Sequence, residues 1–168
     1  LMQLNQVFAA NYCRIYWQSI LNLQGITEHY SILSGEALQE TEFLPQLIES
    51  QDSLGLFLFY LCKLMLCYLF GEIESAQNYG IETRKYLIVG TGNFGIPVFL
   101  FYDSLIAIAA VNSQLQETSK VFEQVEENQT QLQQQWSNYA PMNHQHKVDL
   151  VAAEKHRVLG NKLEAIEL

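Results

Sequence analysis

The sequence predicts an all-α fold assembled from helix hairpins, and three observations predict it. Apolar residues recur at three- to five-residue steps along most of the chain, the period of a helix that faces a core. No train of alternating apolar and polar residues marks a set of strands. The apolar runs also end at glycines or open on prolines, as at Gly25, Gly71, Pro97 and Gly160, where helices stop and start.

Taken in order, a first helix is expected over residues 4–23, with Val7, Phe8, Tyr12, Ile15, Ile20 and Leu23 as its apolar stripe and Gly25 as its end. A looser stretch reaches about Ser34. Short helices are expected around 35–40 and 42–50, the second carrying Phe43, Leu47 and Ile48. Residues 53–70, SLGLFLFYLCKLMLCYLF, form the most apolar segment. Residues 72–89 read as its amphipathic partner, opening on Glu72 and Glu74, where acids suit a helix N-terminus.

Pro97 fits the first turn of a helix running to about Val111. Residues 113–137 form a long polar helix with a narrow stripe of Leu115, Thr118, Phe122, Val125, Gln129, Leu132 and Trp136, the mark of an outer face or of a helix awaiting a partner. NYAPMN, 138–143, is a break. A helix over 145–159 ends at Gly160, and a last one opens at Asn161 and is cut off at Leu168 after barely two turns. A helix so short does not stand alone. The expectation is a single helical domain over 1–168, excised from a longer protein within a repeat.

Composition excludes several functions. The 168 residues are 49% hydrophobic, enough for a true core, and carry a net charge of -9. That charge argues against nucleic acid and anionic membrane surfaces as partners, since both need clustered lysine and arginine. Three cysteines, Cys13, Cys62 and Cys67, have no framework spacing and suit a reducing cytoplasm. No basic n-region of a signal peptide opens the chain. Asn128-Gln-Thr130 matches the glycosylation triplet, a pattern short enough to arise by chance.

Residues 54–70 and 96–111 approach the length of a membrane span, but each has a charge near its middle, Lys63 and Asp103. A central charge costs about 2.5–3.5 kcal/mol in a bilayer. Both segments are therefore expected as buried helices of a soluble protein, not as membrane insertions. Charges inside a core need partners. Stacked as alternate helices, the two segments run parallel and place Lys63 and Asp103 at heights that differ by roughly 3 Å. A Lys63–Asp103 ion pair inside the stack is one expectation; the alternative is that each charge snorkels to an edge or finds a hydroxyl among Tyr60, Tyr68 and Tyr102.

In KYLIVGTGNFGIPVFLFYDS, residues 85–104, Gly90, Gly92 and Gly95 fit the G-x-G-x-x-G pattern. A dinucleotide site would need a strand before the glycines and an acid about twenty residues on. Here a helical pattern precedes them, and residues 113–116 are Ser-Gln-Leu-Gln, with Glu117 the first acid. A kinase glycine-rich loop would need a valine where Pro97 follows, and a lysine long before Lys120. What remains is an interhelical turn, with Gly90 or Gly92 as a left-handed cap and Pro97 starting the next helix. His144, His146 and His156 lack acids or cysteines at ligand spacing, and Cys62 and Cys67 read as small core residues. No catalytic, cofactor-binding or metal site is expected.

YAPMNHQHKVDLVAAEKHRVLGNKLEAIEL, 139–168, closely resembles a segment of the large multidomain signalling kinases of filamentous cyanobacteria, and KLMLCYLFGE (63–72) and PVFLFYDSL (97–105) are similar to the same family. The resemblance spans most of residues 54–168. Such proteins join a serine/threonine kinase, a STAND- or AAA-type ATPase, a helical region, a GAF sensor and a histidine kinase. The matching part is the helical one, with irregular tetratricopeptide-like repeats, so the resemblance implies a right-handed superhelical array of hairpins. Two local patterns agree: Gly71 to Ala76 and Gly160 to Ala165 each place an alanine five residues after a glycine, as the turn between repeat helices does. They lie 160 − 71 = 89 residues apart, no multiple of 34, so the repeats are irregular.

None of the family's catalytic residues falls in this stretch. The resemblance implies a cytoplasmic, non-catalytic regulatory module that contacts other domains of the parent kinase or a signalling protein, relaying between ATPase switch and sensor. The alternative is a small-ligand sensor with an apolar cavity between helices 54–70 and 96–111.

Overall fold

The computed structural model describes residues 6–90, 92–111 and 118–168, with nothing described for the Thr118 side chain. Among the described residues every regular element is helical and no strand occurs; the nearest thing to one is a lone antiparallel bridge between Ser34 and Gln39. The chain folds as two compact units, Leu1–Gly95 and Ile96–Leu168.

The first unit contains α1 (Val7–Leu23), α2 (Glu40–Glu49), α3 (Ser53–Leu69), α4 (Ile73–Arg84) and a 3-10 turn at Leu87–Gly90. Its organising element is α3, which is apolar all round and packs against α1, α2 and α4. Phe57, Phe59, Leu64 and Leu66 are fully buried, and Ile15, Leu33, Leu47 and Ala76 close the core around them. Asp52 caps α3, its Oδ1 accepting from Gly55 N at 2.9 Å and from the Tyr12 hydroxyl at 3.0 Å. One carboxylate thus starts α3 and ties it to α1. Gly55 has no room for a side chain: a Cβ there would lie 2.5 Å from Asp52 Oδ2 and 2.9 Å from Leu47 Cδ2.

Four helix C-termini among the described residues share one turn. After α3, Gly71 N donates to Tyr68 O and Glu72 N to Cys67 O; after the helix that ends at Leu159, Gly160 N donates to Arg157 O and Asn161 N to His156 O. Gly71 and Gly160 sit at φ of +80° and +84°, the left-handed conformation this motif demands. The same pair of bonds closes α1 at Gly25 and α2 at Gln51.

Between α1 and α2 the sequence suggests a short helix at 35–40, and the structure has an irregular loop instead. The reason is competition for backbone groups. Gln18 Oε1 accepts from Ala37 N and Leu38 N, and the Asn22 amide donates to the carbonyls of His29, Tyr30 and Ile32. Side chains of α1 thereby take the donors and acceptors that a helix would use internally.

The second unit contains α5 (Gly95–Val111, whose first residue is the boundary), α6 (Thr118–Leu132), a π-helical turn (Gln133–Ser137), α7 (Pro141–Leu159) and α8 (Lys162–Glu167). The first part of the helix expected over 113–137 lies outside the described residues. Val125 and Leu132 of the expected stripe are buried, and so is the polar Asn128 beside them. Helix α7 begins earlier than the expected 145, because Pro141 occupies its first turn. Lys155 of α7 meets Glu126 of α6 at 2.8 Å, and Ser137 Oγ donates to Gln145 Oε1 at 2.7 Å.

Candidate functional site

Lys63 is the most informative polar residue of the first unit. It sits mid-way along α3 and is only 2% exposed, so its ammonium needs partners. Nζ lies 2.8 Å from Glu40 Oε2 and donates to Ser31 O at 2.7 Å, and it stands 5.0 Å from the centre of the Tyr79 ring. Glu40 also accepts from Leu33 N, and Ser31 Oγ donates to Glu72 Oε1 at 2.6 Å. Lys63 thus welds the loop before α2 to α3 and α4. Asp103 of α5, expected to be its counter-ion, accepts from Gln124 Nε2 at 2.9 Å and Asn128 Nδ2 at 2.7 Å. The two buried charges expected to answer one another each have partners inside their own unit. Sequence spacing could not reveal Glu40, because it lies 23 residues away across an irregular loop.

Around Lys63 is an open cleft of about 530 Å³ whose lining includes His29, Ser31, Cys67, Glu72 and Tyr79. Its chemistry is committed to structure. The ammonium is neutralised by Glu40, and burial pushes the Cys67 thiol up to about 11, against an ordinary value of 9.0. A thiol that stays protonated is a poor nucleophile at neutral pH. Cys62, wholly buried, is likewise pushed up to about 11 by burial.

The glycine stretch forms the connection into α5. Gly90 closes the 3-10 turn and its carbonyl accepts from Asn93 N at 2.8 Å. Gly92 has φ +80°, with open space where a side chain would be. Asn93 Oδ1 accepts from Gly95 N at 2.8 Å, supplying the first turn of α5 with a cap ahead of Pro97. Gly95 admits no side chain, since a Cβ would sit 2.8 Å from the Phe57 ring. Thr91 lies outside the described residues.

His144, His146 and His156 are dispersed along α7. His144 meets Trp136 edge to face at 5.6 Å, and burial, with Lys147 and His146 nearby, pushes its pKa down. His156 approaches Asn161. Among the described residues no three His, Cys, Asp or Glu side chains could hold a metal ion, and no helix is long and apolar enough to cross a membrane. The glycosylation triplet fails on access: Asn128 is buried, and its amide is engaged by Asp103 and Ser104.

The feature that spacing alone misreads is α1. Its inward face is largely polar, with Gln18, Ser19 and Asn22 buried beside Ile15 and Leu21. Its outward face carries Trp17 (49% exposed), Ile20 (53%) and Leu23 (47%), with Ala9, Ala10 and Cys13 exposed ahead of them. Of the expected core stripe, Val7, Phe8, Ile20 and Leu23 therefore point to solvent. The signal was present in the sequence as three polar residues between apolar ones, Gln18, Ser19 and Asn22, each able to serve a loop. Comparison with protein-family models, with curated proteins and with solved structures finds no match to this chain.

Proposed function

We propose that this chain is a non-catalytic contact module. It is built of irregular, tetratricopeptide-like helix hairpins wound right-handedly, and it serves a cytoplasmic signalling kinase between an ATPase switch and sensor and kinase domains. The observation that carries the contact role is the outward apolar face of α1. A helix that buries glutamine, serine and asparagine while presenting tryptophan and isoleucine to water is shaped for something beyond its own core. The repeat reading is supported by the shared turn at Gly71 and Gly160. In each case the alanine five residues on lies in the first turns of the following helix. The non-catalytic reading is supported by the committed state of Lys63 and Cys67.

A thermal melt with and without excess ATP, ADP or NAD tests it. A ligand at a hundred times its dissociation constant stabilises by about 2.7 kcal/mol, a shift readily seen. The expected outcome is an unchanged melting temperature with all three. A shift that disappears on Gly92→Ala overturns the reading and makes the glycine loop a nucleotide site.

A further inference from the structure

The exposed positions of α1 fall on a heptad seam. Gln6, Ala10, Cys13, Trp17, Ile20 and Gln24 are all exposed, and their spacing is four, three, four, three, four. That is the a/d pattern by which one helix packs along another. We propose that this seam is a homotypic interface, on which α1 of a second copy of the chain packs antiparallel. The inference rests on the contact reading above and names the partner.

Size and charge along the seam select that occupant. Its N-terminal half is small, Ala10 and Cys13, and its C-terminal half is large, Trp17 and Ile20. Laid antiparallel about Ile15, the midpoint of α1, the seam matches itself layer by layer. Ala10 meets the partner's Ile20, Cys13 meets the partner's Trp17, and Gln6 meets the partner's Gln24. Every apolar layer then holds one small and one large side chain, so the two axes keep an even separation of about 8–10 Å. A parallel pairing would set tryptophan against tryptophan and alanine against alanine, wedging one end apart. The seam also brings no like charges together. Arg14 is the only charged residue of α1, and it turns inward, donating to Ala37 O at 2.8 Å and lying over the Phe43 ring. The molecule as a whole is acidic, with net charge -9, so association is opposed at long range and tightens as salt screens that repulsion.

Sedimentation equilibrium over a range of chain and salt concentrations, combined with cross-linking at Cys13, tests the proposal. Cys13 is the exposed thiol; Cys62 and Cys67 are buried. In the antiparallel register the two Cys13 positions are four residues apart along the axis, about 6 Å at 1.5 Å per residue, and on opposite helices. Combined at right angles with the 8–10 Å between the axes, that offset puts the two Cα atoms roughly 10 Å apart, beyond the roughly 7 Å that a disulfide tolerates. A short bis-maleimide should therefore join two chains through Cys13, whereas mild oxidation should not. Trp17→Glu should abolish the dimer while leaving the melting temperature of the monomer in place, since Trp17 lies outside the core. Ala10→Ile should weaken the dimer by crowding its layer, and Ala10→Ile with Ile20→Ala should restore it, because each layer again holds one small and one large side chain. A chain that stays monomeric throughout overturns the proposal. So does a Cys13 disulfide that forms readily, which would mean a parallel seam. Neither result touches the nucleotide melts, so failure of the dimer and failure of the contact-module reading are told apart.

Discussion

Gln51 holds a backbone φ of +52° at the end of α2, at the position that Gly25, Gly71 and Gly160 occupy at theirs. The turn it makes is the same one, with Gln51 N donating to Ile48 O and Asp52 N to Leu47 O. A left-handed conformation costs an L-residue roughly 1–2 kcal/mol, and glycine avoids it. Gln51 is exposed, so Gln51→Gly should stabilise the first unit by about 1 kcal/mol, read as a higher midpoint in urea. Lys63 predicts the opposite sign. Lys63→Met leaves Glu40 largely buried without its counter-charge, and breaking a buried pair at one partner costs about 3–5 kcal/mol. The same urea titration should show a loss of that order. A loss below 1 kcal/mol would mean that the pair contributes nothing beyond the loop it closes.

At the scale of elements, α3 makes the first unit sensitive to alkali. Burial raises both its thiols, Cys62 and Cys67, from 9.0 to about 11. Burial also raises the Tyr12 phenol, hydrogen-bonded to the cap of α3, to about 12 from 10.0. A group raised in the folded state favours folding fully below its unfolded pKa, and that contribution is lost as pH climbs toward the folded value. Stability should therefore hold to about pH 9 and fall progressively toward pH 11, with Tyr12 adding to the loss above pH 10. Urea midpoints at steps across this range should trace that decline. A flat profile would show that α3 opens enough to let its thiols ionise freely. Alkylation at neutral pH offers a companion measurement: Cys13 should react in the native chain, and Cys62 and Cys67 only after unfolding.

On the scale of the whole molecule, the two units rest on different means of order. The first has a wide apolar core with polar side chains tying a long irregular loop across it, so its stability should respond to single polar substitutions such as Lys63→Met. The second has the buried helix α5, with Phe99, Leu100 and Ile108 almost wholly enclosed, and is laced on its outer helices by side-chain pairs such as Gln145–Asp149 and Lys155–Glu126. Exposed ion pairs are worth little, about 0–1 kcal/mol, and weaken with salt. The acidic surface belongs to this scale too. With a net charge of -9, added salt should favour any contact between copies through α1.

Helix ends and helix class were legible from residues alone, because their causes are local. A glycine at the left-handed cap, a proline in the first turn and an apolar period near 3.6 act within a few residues. Gly71, Gly160 and Pro97 mark ends that the folded chain uses, whereas Pro141, read as part of a break, in fact opens α7; Lys63 in an apolar run was recognisable as a buried charge in need of a partner. The identity of that partner was not, nor was the inward face of α1. Both were decided by the loop between α1 and α2, whose backbone groups cannot satisfy one another and recruit Gln18, Asn22, Glu40 and Lys63 from three helices. Apolar period predicts which residues avoid water, but an irregular loop's hydrogen bonds must also be met wherever the fold buries it. In α1 that demand outweighed the apolar stripe. It turned the helix so that its polar residues serve the interior and Trp17 and Ile20 are left facing solvent.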